Sequence, residues 1–104
     1  MIYCIAQFKP KSGREEELIE KLKGLRPLTI QEKGCIQYDV TKVFKNKYAD
    51  SGTNYPIVFN EQWDSVEAFE EHCEKDYIVN FFKKECLDFN GCVESWKVNT
   101  FEKI

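Results

Sequence analysis

The sequence has neither an excess of basic residues nor a long apolar run. Its 15 lysine and arginine residues are outnumbered by 18 acidic residues, giving a net charge of −3 with the two signs mixed along the chain. A nucleic-acid-binding domain usually carries a basic stripe, and a membrane-surface helix usually has a basic face; neither pattern is present. No segment is long enough to span a bilayer, and the opening residues, MIYCIAQFKP, lack the basic start and apolar stretch of a signal peptide. We therefore expect a cytoplasmic protein that binds neither nucleic acid nor membrane.

The sequence also lacks the common signatures of bound metals and nucleotides. It has no C-x-x-C pair, only one histidine, and no glycine-rich phosphate-binding loop. Its five cysteines are an odd number, which rules out a complete set of intrachain disulfides. In a reducing compartment such cysteines are expected to be small buried side chains or free thiols. We expect no metal and no cofactor.

Apolar periodicity divides the 104 residues into the elements of one domain, residues 1–104. Alternating residues predict four strands, Ile2–Lys9, Cys35–Phe44, Ile57–Trp63 and Cys92–Phe101. Helical spacing predicts one helix from about Arg14 and a pair of helices between the third and fourth strands. This βαββαβ order is typical of a ferredoxin-like α+β fold, an antiparallel sheet with helices on one face.

Several residues predict where the helices begin and end. Ser12–Glu15 and Asp64–Glu67 have the spacing of capping boxes, so Ser12 and Asp64 are expected to cap the helices that follow. Gly24 and Pro27 predict a kink or break in the first helix, and Gly34 predicts its C-terminal end.

A sheet with helices on one face leaves its other face uncovered. The first strand is apolar on both faces, so both are expected to be covered. Two sheets packed face to face would bury the bare surface, which predicts an isologous homodimer through the open sheet face. The polar stretch Lys45–Tyr55 is expected to be either a solvated loop or a flap over a site.

These segments resemble the antibiotic biosynthesis monooxygenase (ABM) family, including its quinol monooxygenases. The matching pieces are IYCIAQFKPKSGREEEL at the start, then GCIQYDV (34–40), FNEQW (59–63), SVEAFEEH (65–72) and DYIVNFF (76–82). The most specific combination is E-x-W followed by the EAFEEH helix, after a GC-x-x-Y strand. The resemblance implies a dimeric α+β barrel.

The family resemblance implies several possible activities. Some proteins of this kind oxygenate phenols or quinols without metal or flavin, whereas others isomerise phosphorylated signal sugars or degrade haem. The haem-degrading branch would have an asparagine in the first strand and a histidine late in the helical region. This chain has Ala6 and Gln7 at the first place and no histidine at the second, so haem degradation is not expected.

A cofactor-free oxygenase needs a base, apolar walls and hydrogen-bond donors for a developing oxyanion. His72 is the natural base because an unperturbed imidazole has a pKa of about 6.5. Its helical position places it beside Ala68 and Phe69, where a packed core histidine is the alternative. Glu61 is the second catalytic candidate and is expected to orient His72 or a water. Alternatively, Glu61 pairs with a lysine or caps the backbone.

The substrate-binding candidates are aromatic residues and one amide. Trp63 shares a strand face with Glu61 and is predicted to be either a pocket wall or core. Tyr38, Tyr77 and Phe81 are predicted to be either pocket or core. Asn60 is a candidate oxyanion donor, but it points to the opposite strand face from Trp63 unless a bulge changes the register.

The family resemblance, taken together with these residues, implies two possible functions. The leading one is a cofactor-independent monooxygenase that acts on a small phenol or quinol. The alternative is a small-ligand-binding protein or isomerase of the same dimeric fold, acting on a phosphorylated signal sugar without oxygenation. A cysteine nucleophile paired with His72 also stays open, since nothing in the sequence selects which cysteine.

Overall fold

The fold is described from a computed structural model of residues 1–104. The strands are β1 (Ile2–Pro10), β2 (Cys35–Lys42), β3 (Ile57–Trp63) and β4 (Val93–Glu102). The helices are α1 (Glu15–Thr29), α2 (Val66–Cys73) and α3 (Asp76–Phe81), and α3 continues into a π-helical turn, Phe82–Leu87. The strands form one antiparallel sheet in the order β2-β3-β1-β4, with three helices on one face. The predicted ferredoxin-like α+β fold is confirmed.

The two central strands, β1 and β3, separate a core face from an open face. On the core side, Cys4 lies opposite Glu61, Ala6 opposite Phe59, and Phe8 opposite Ile57. Burial alternates along both strands, as period-two sequences predict. The alternation therefore fixes which side chains face the helices.

Aromatic and aliphatic side chains fill the space between the sheet and the helices. Leu18 and Leu22 of α1 are fully buried. The Phe8 ring meets Phe59 and Phe81 edge to face, with centroids 6.4 and 5.9 Å apart. Such pairs contribute about 0.5–1.5 kcal/mol beyond area burial, so they help to fix α3 on the sheet.

Both predicted capping residues are wrong, for local reasons. Helix α1 starts after Arg14, which makes no side-chain cap, because a turn at Gly13 with φ of +78° carries the chain past Ser12. Helix α2 is capped by Ser65, whose Oγ accepts from the backbone N–H of Ala68 at 3.1 Å. Asp64 remains paired with the segment before β2, because its backbone N–H donates to the Gly34 carbonyl at 2.9 Å. The cap therefore falls one residue later than predicted.

The predicted break in α1 does not occur. The helix runs through Gly24 and Pro27 to Thr29. Both residues are exposed, and Pro27 lies close to the C-terminal end. Buried Leu22 and Thr29 on the opposite side hold the last two turns against the core.

The second strand also differs in detail from its prediction. Gly34, with φ of +87°, precedes β2 instead of ending α1. A register shift between Cys35 and Gln37 turns Ile36 outward, whereas Tyr38 is buried. The strand ends at Lys42, two residues early, and residues 43–50 are exposed.

The open face and the helices bear on two further predictions. Tyr3, Ile5 and Val58 lie on the open face and are half-buried beside polar neighbours. The homodimer stays a prediction. None of the helices has the combination of length and apolar character that crossing a membrane requires.

Candidate functional site

A cavity of about 200 Å³ lies between the core face of the sheet and helices α2 and α3. Strand β1 contributes Cys4, Ala6 and Phe8, and the other walls are mainly aromatic and aliphatic. Glu61 and His72 are the only carboxylate and imidazole groups on its walls, and no lysine or arginine lines it. The cavity therefore combines an apolar interior with two groups that can exchange protons.

His72 borders this cavity from the last turn of α2. Its Nδ1 lies 3.0 Å from Oε2 of Glu32, and the two side chains are 4% and 9% exposed. Burial lowers the pKa of His72 from its usual 6.5, although the hydrogen bond to Glu32 acts in the opposite direction. The imidazole is therefore mainly neutral near pH 7. Its Nε2 makes no hydrogen bond within the chain and is free for a ligand.

Glu32 is not among the residues that the sequence predicts for the site, and it lies forty residues from His72 in the segment between α1 and β2. Its Oε2 also accepts a hydrogen bond from the Tyr77 hydroxyl. Glu32 has no neighbouring apolar pattern or motif, so no sequence signal marked it. Only the packing of that segment against α2 and α3 brings the three groups together.

Glu61 lies on β3 and is nearly fully buried. Its Oε1 accepts from Trp63 Nε1 at 3.0 Å. Burial raises the pKa of Glu61 to about 7, against the opposing effect of hydrogen bonds from Trp63 and Cys4. No hydrogen bond joins Glu61 to His72, whose Nδ1 is paired with Glu32, and no lysine pairs with Glu61. The predicted role of Glu61 in orienting a water stays a prediction. Glu61 is thus a carboxyl group able to gain or lose a proton near neutral pH.

The aromatic candidates divide between the cavity wall and the packing behind it. Tyr38 and Phe81 line the cavity, whereas Trp63 and Tyr77 do not. Trp63 is fully buried and packs against the His72 ring, with centroids 4.6 Å apart and planes at 35°. Tyr77 reaches the site through Glu32.

Asn60 lies away from the cavity. Its amide donates to Thr41 Oγ1 at 2.8 Å on the open sheet face. No bulge shifts β3 against β1, so the register gives Asn60 no route to the cavity. An oxyanion role inside this cavity is therefore not available to Asn60.

A second group of possible metal ligands lies outside the cavity. Glu17, Glu85 and Cys92 place ligand atoms within 4.8 Å of one another. Lys21 Nζ contacts Glu17 at 2.7 Å and Glu85 at 2.9 Å, and Arg14 also pairs with Glu17. The cations already compensate these carboxylates, so the cluster acts as an ion-pair network between α1 and the π-helical turn.

The structure is a ferredoxin-like α+β domain with an apolar cavity between its sheet and its helices. The chain belongs to the antibiotic biosynthesis monooxygenase family, whose sequence model matches residues 1–84. This match confirms the family resemblance of the sequence segments.

Solved structures agree with this assignment. A protein from Shewanella oneidensis is 36% identical with a TM-score of 0.75, over 96% of this chain and 87% of its own. A protein from Pseudomonas aeruginosa is 21% identical with a TM-score of 0.76, over 99% and 93% of the two chains. A structure described as an antibiotic biosynthesis monooxygenase is 22% identical with a TM-score of 0.73, over 100% and 99%. The last two show the fold alone. No protein of curated function matches this chain.

Proposed function

We propose that this protein is a cofactor-independent monooxygenase that acts on a small phenol or quinol, with His72 as its base. The observation that carries the proposal is a neutral, buried imidazole bordering an apolar cavity, with Nδ1 engaged by Glu32 and Nε2 free. Because this imidazole is neutral, it is already in the form that can accept a proton from a substrate hydroxyl. The surrounding apolar walls keep water from the anion that results.

The substrate itself supplies the electrons. Proton transfer from the substrate hydroxyl to His72 Nε2 leaves a phenolate, which passes one electron to O₂ and gives a radical pair. The pair combines to form a carbon–oxygen bond. The O–O bond then breaks, the ring carbon loses its hydrogen, and the outer oxygen leaves as water. The balance is phenol + O₂ → quinone + H₂O, so no further reductant is needed.

Glu61 is the second proposed catalytic group. With its pKa at about 7, it can donate a proton to the departing oxygen and then take up the proton that the ring carbon loses. His72 gives the hydroxyl proton to the same oxygen, so both groups return to their starting states. Tyr38 and Phe81 are the proposed contacts to the substrate ring, because both line the cavity. Trp63 and Tyr77 would support the site from behind the wall.

The size and charge of the cavity favour a single-ring, uncharged substrate. A cavity of about 150 Å³ suffices to bind benzene, and this one measures about 200 Å³. A phosphorylated sugar would meet no lysine or arginine on these walls and would face the Glu61 carboxyl group. A buried phosphate without a counter-charge is strongly disfavoured. These features favour a monooxygenase acting on a phenol or quinol over an isomerase acting on a phosphorylated sugar.

Oxygen uptake by purified, metal-stripped protein tests the proposal, with a panel of single-ring phenols, quinols and catechols. We expect uptake with at least one substrate and a loss on the order of 10²–10⁴ in rate for His72→Ala. Glu70→Gln, an exposed change on the same helix, is the control and should leave the rate unchanged. A folded wild-type protein that consumes no oxygen with any substrate would overturn the monooxygenase. Full activity in His72→Ala would overturn the base.

We also propose a homodimer through the open sheet face. The half-buried apolar side chains of Tyr3, Ile5 and Val58 on that face support it. Sedimentation should give about twice the 12.3 kDa chain mass, and Ile5→Lys should give a monomer. A monomeric wild-type protein would contradict the dimer.

Five cysteines without a disulfide support the cytoplasm as the proposed location.

A further inference from the structure

We propose that Glu32 is a positioning residue that holds the His72 proton on Nδ1 and so keeps the Nε2 lone pair directed at the ligand. This inference rests on the proposed role of His72 as the base and adds the device that prepares it. The arrangement on which it stands is the 3.0 Å contact between Glu32 Oε2 and His72 Nδ1, deep in the domain.

The orientation of the imidazole is fixed by its neighbours. Trp63 packs on it with ring centroids 4.6 Å apart, and Tyr38 meets it edge-on at 5.3 Å. Two aromatic contacts at different angles restrict rotation of the ring. The nitrogen that faces Glu32 therefore stays there, and Nε2 stays turned away from the carboxylate on a ring that borders the cavity.

The chemistry of the carboxylate then selects the tautomer. A neutral imidazole carries one N–H, and an ionised carboxylate only accepts hydrogen bonds. A 3.0 Å contact between them therefore places the proton on Nδ1. Nε2 is left without a proton, which is the state that a general base requires.

The same oxygen of Glu32 is held from a second direction. The Tyr77 hydroxyl donates to Oε2, and Thr29 Oγ1 lies 3.3 Å from that hydroxyl. Two contacts thus converge on this one oxygen and keep it beside Nδ1. Among charged groups, Lys75 also acts on His72 and Glu61 lies across the site, and neither contacts Nδ1.

A purely structural ion pair would use the same contact without controlling the proton. The two roles differ in what happens when the acceptor is removed. With no acceptor, an Nδ1 proton would be a buried, unpaired donor, which is unfavourable. The proton would then move to Nε2, where the cavity can supply an acceptor, and the base would be lost.

Nitrogen NMR of protein labelled with ¹⁵N histidine can read the tautomer directly, because His72 is the only histidine in the chain. In the wild-type protein above the histidine pKa, we expect a protonated Nδ1 and a bare Nε2. In Glu32→Met the proton should shift to Nε2, and the histidine pKa should fall further because a stabilising carboxylate is gone. Oxygen uptake should fall on the order of 10²–10⁴ because the base is lost. A wrong histidine tautomer lowers the rate of serine proteases for the same reason.

Two further variants separate this role from general damage. Tyr77→Phe keeps the carboxylate and its contact with Nδ1, so the proton should stay on Nδ1. Glu70→Met makes the same substitution at an exposed site on α2 and should change neither measurement. Wild-type protein with its proton on Nε2 would overturn the inference even if Glu32→Met failed to fold. So would an unchanged tautomer in folded Glu32→Met.

The NMR measurement also distinguishes the inference from the proposed function, because it needs no substrate. A proton on Nδ1 that shifts in Glu32→Met supports the role of Glu32 whether or not oxygen is consumed. The same tautomers in a protein with no oxygen uptake would overturn the monooxygenase alone.

Discussion

Glu61→Gln should stabilise the protein in neutral and alkaline solution while leaving its stability near pH 4 almost unchanged. The side chain is 5% exposed, and its burial raises the carboxyl pKa from 4.5 to about 7. The folded chain therefore holds this proton more tightly than the unfolded chain does. The contribution of Glu61 to the free energy of unfolding is therefore fully present below about pH 4.5 and falls as the pH rises towards 7. Above that pH this contribution no longer changes.

The size of the effect follows from the two pKa values. They differ by about 2.5, and each pKa unit corresponds to about 1.36 kcal/mol, so ionisation of Glu61 should cost about 3 kcal/mol of folding free energy. Glutamine keeps an oxygen that can accept from Trp63 Nε1 but does not ionise. His72 titrates in both proteins, so its contribution largely cancels in the difference. Variant and wild type should thus diverge by about 3 kcal/mol between pH 4.5 and 8.

Urea unfolding, followed by tryptophan fluorescence at several pH values and one protein concentration, measures this difference. A fixed concentration matters because association would add to the apparent stability. Glu67→Gln, at an exposed position on α2, should run parallel to wild type across the range. A difference between Glu61→Gln and wild type that stays constant with pH would refute the reasoning, since it would mean that Glu61 titrates alike in both states.

Two matched pairs of variants test the corrected element ends. Gly34→Ala should cost about 1–3 kcal/mol, because its φ is +87° and the added Cβ would lie 2.5 Å from Ala68 Cβ. Gly24→Ala has open space in a helix and should add about 0.5–1 kcal/mol; urea unfolding with equal effects at both glycines would contradict the geometry. Ser65→Ala should lower stability by about 1 kcal/mol through loss of the cap, whereas Ser12→Ala should change it by less than about 0.5. Thermal melting checks this pair, and a larger loss at Ser12 would restore the rejected capping box.

The strands and their order could be predicted because the sequence signal and the structure share one cause. A sheet with one buried face needs alternate apolar side chains, and Ile57–Trp63 shows that alternation in both sequence and burial. Helix starts were less predictable. Asp64 and Ser65 are adjacent residues of equal capping ability, and the bond from Asp64 N–H to Gly34 selects between them. That bond joins residues thirty positions apart, so a local pattern does not contain it.

The candidate site was predictable to the same extent. His72 stood out as the only histidine, on a helix directly after an E-x-W strand, and it does border the cavity. Its partner did not stand out, because Glu32 is one of many glutamates and meets His72 only through tertiary packing. The strand pattern also placed Trp63 and Glu61 on one face correctly. It could not tell that Trp63 fills the space behind the imidazole while Glu61 reaches the cavity.

The π-helical turn, Phe82–Leu87, has a consequence for how this chain can evolve. Its widened ladder, in which Asp88 N–H donates to the Lys83 carbonyl at 3.0 Å, contains one more residue than an α-helix would use. Deleting a single codon there would narrow the turn to an α-helical one, so the residues before and after it would keep their directions. The cavity wall at Phe81 would then stay in place. This turn is therefore a point at which descendants of the chain can lose one residue and keep the fold.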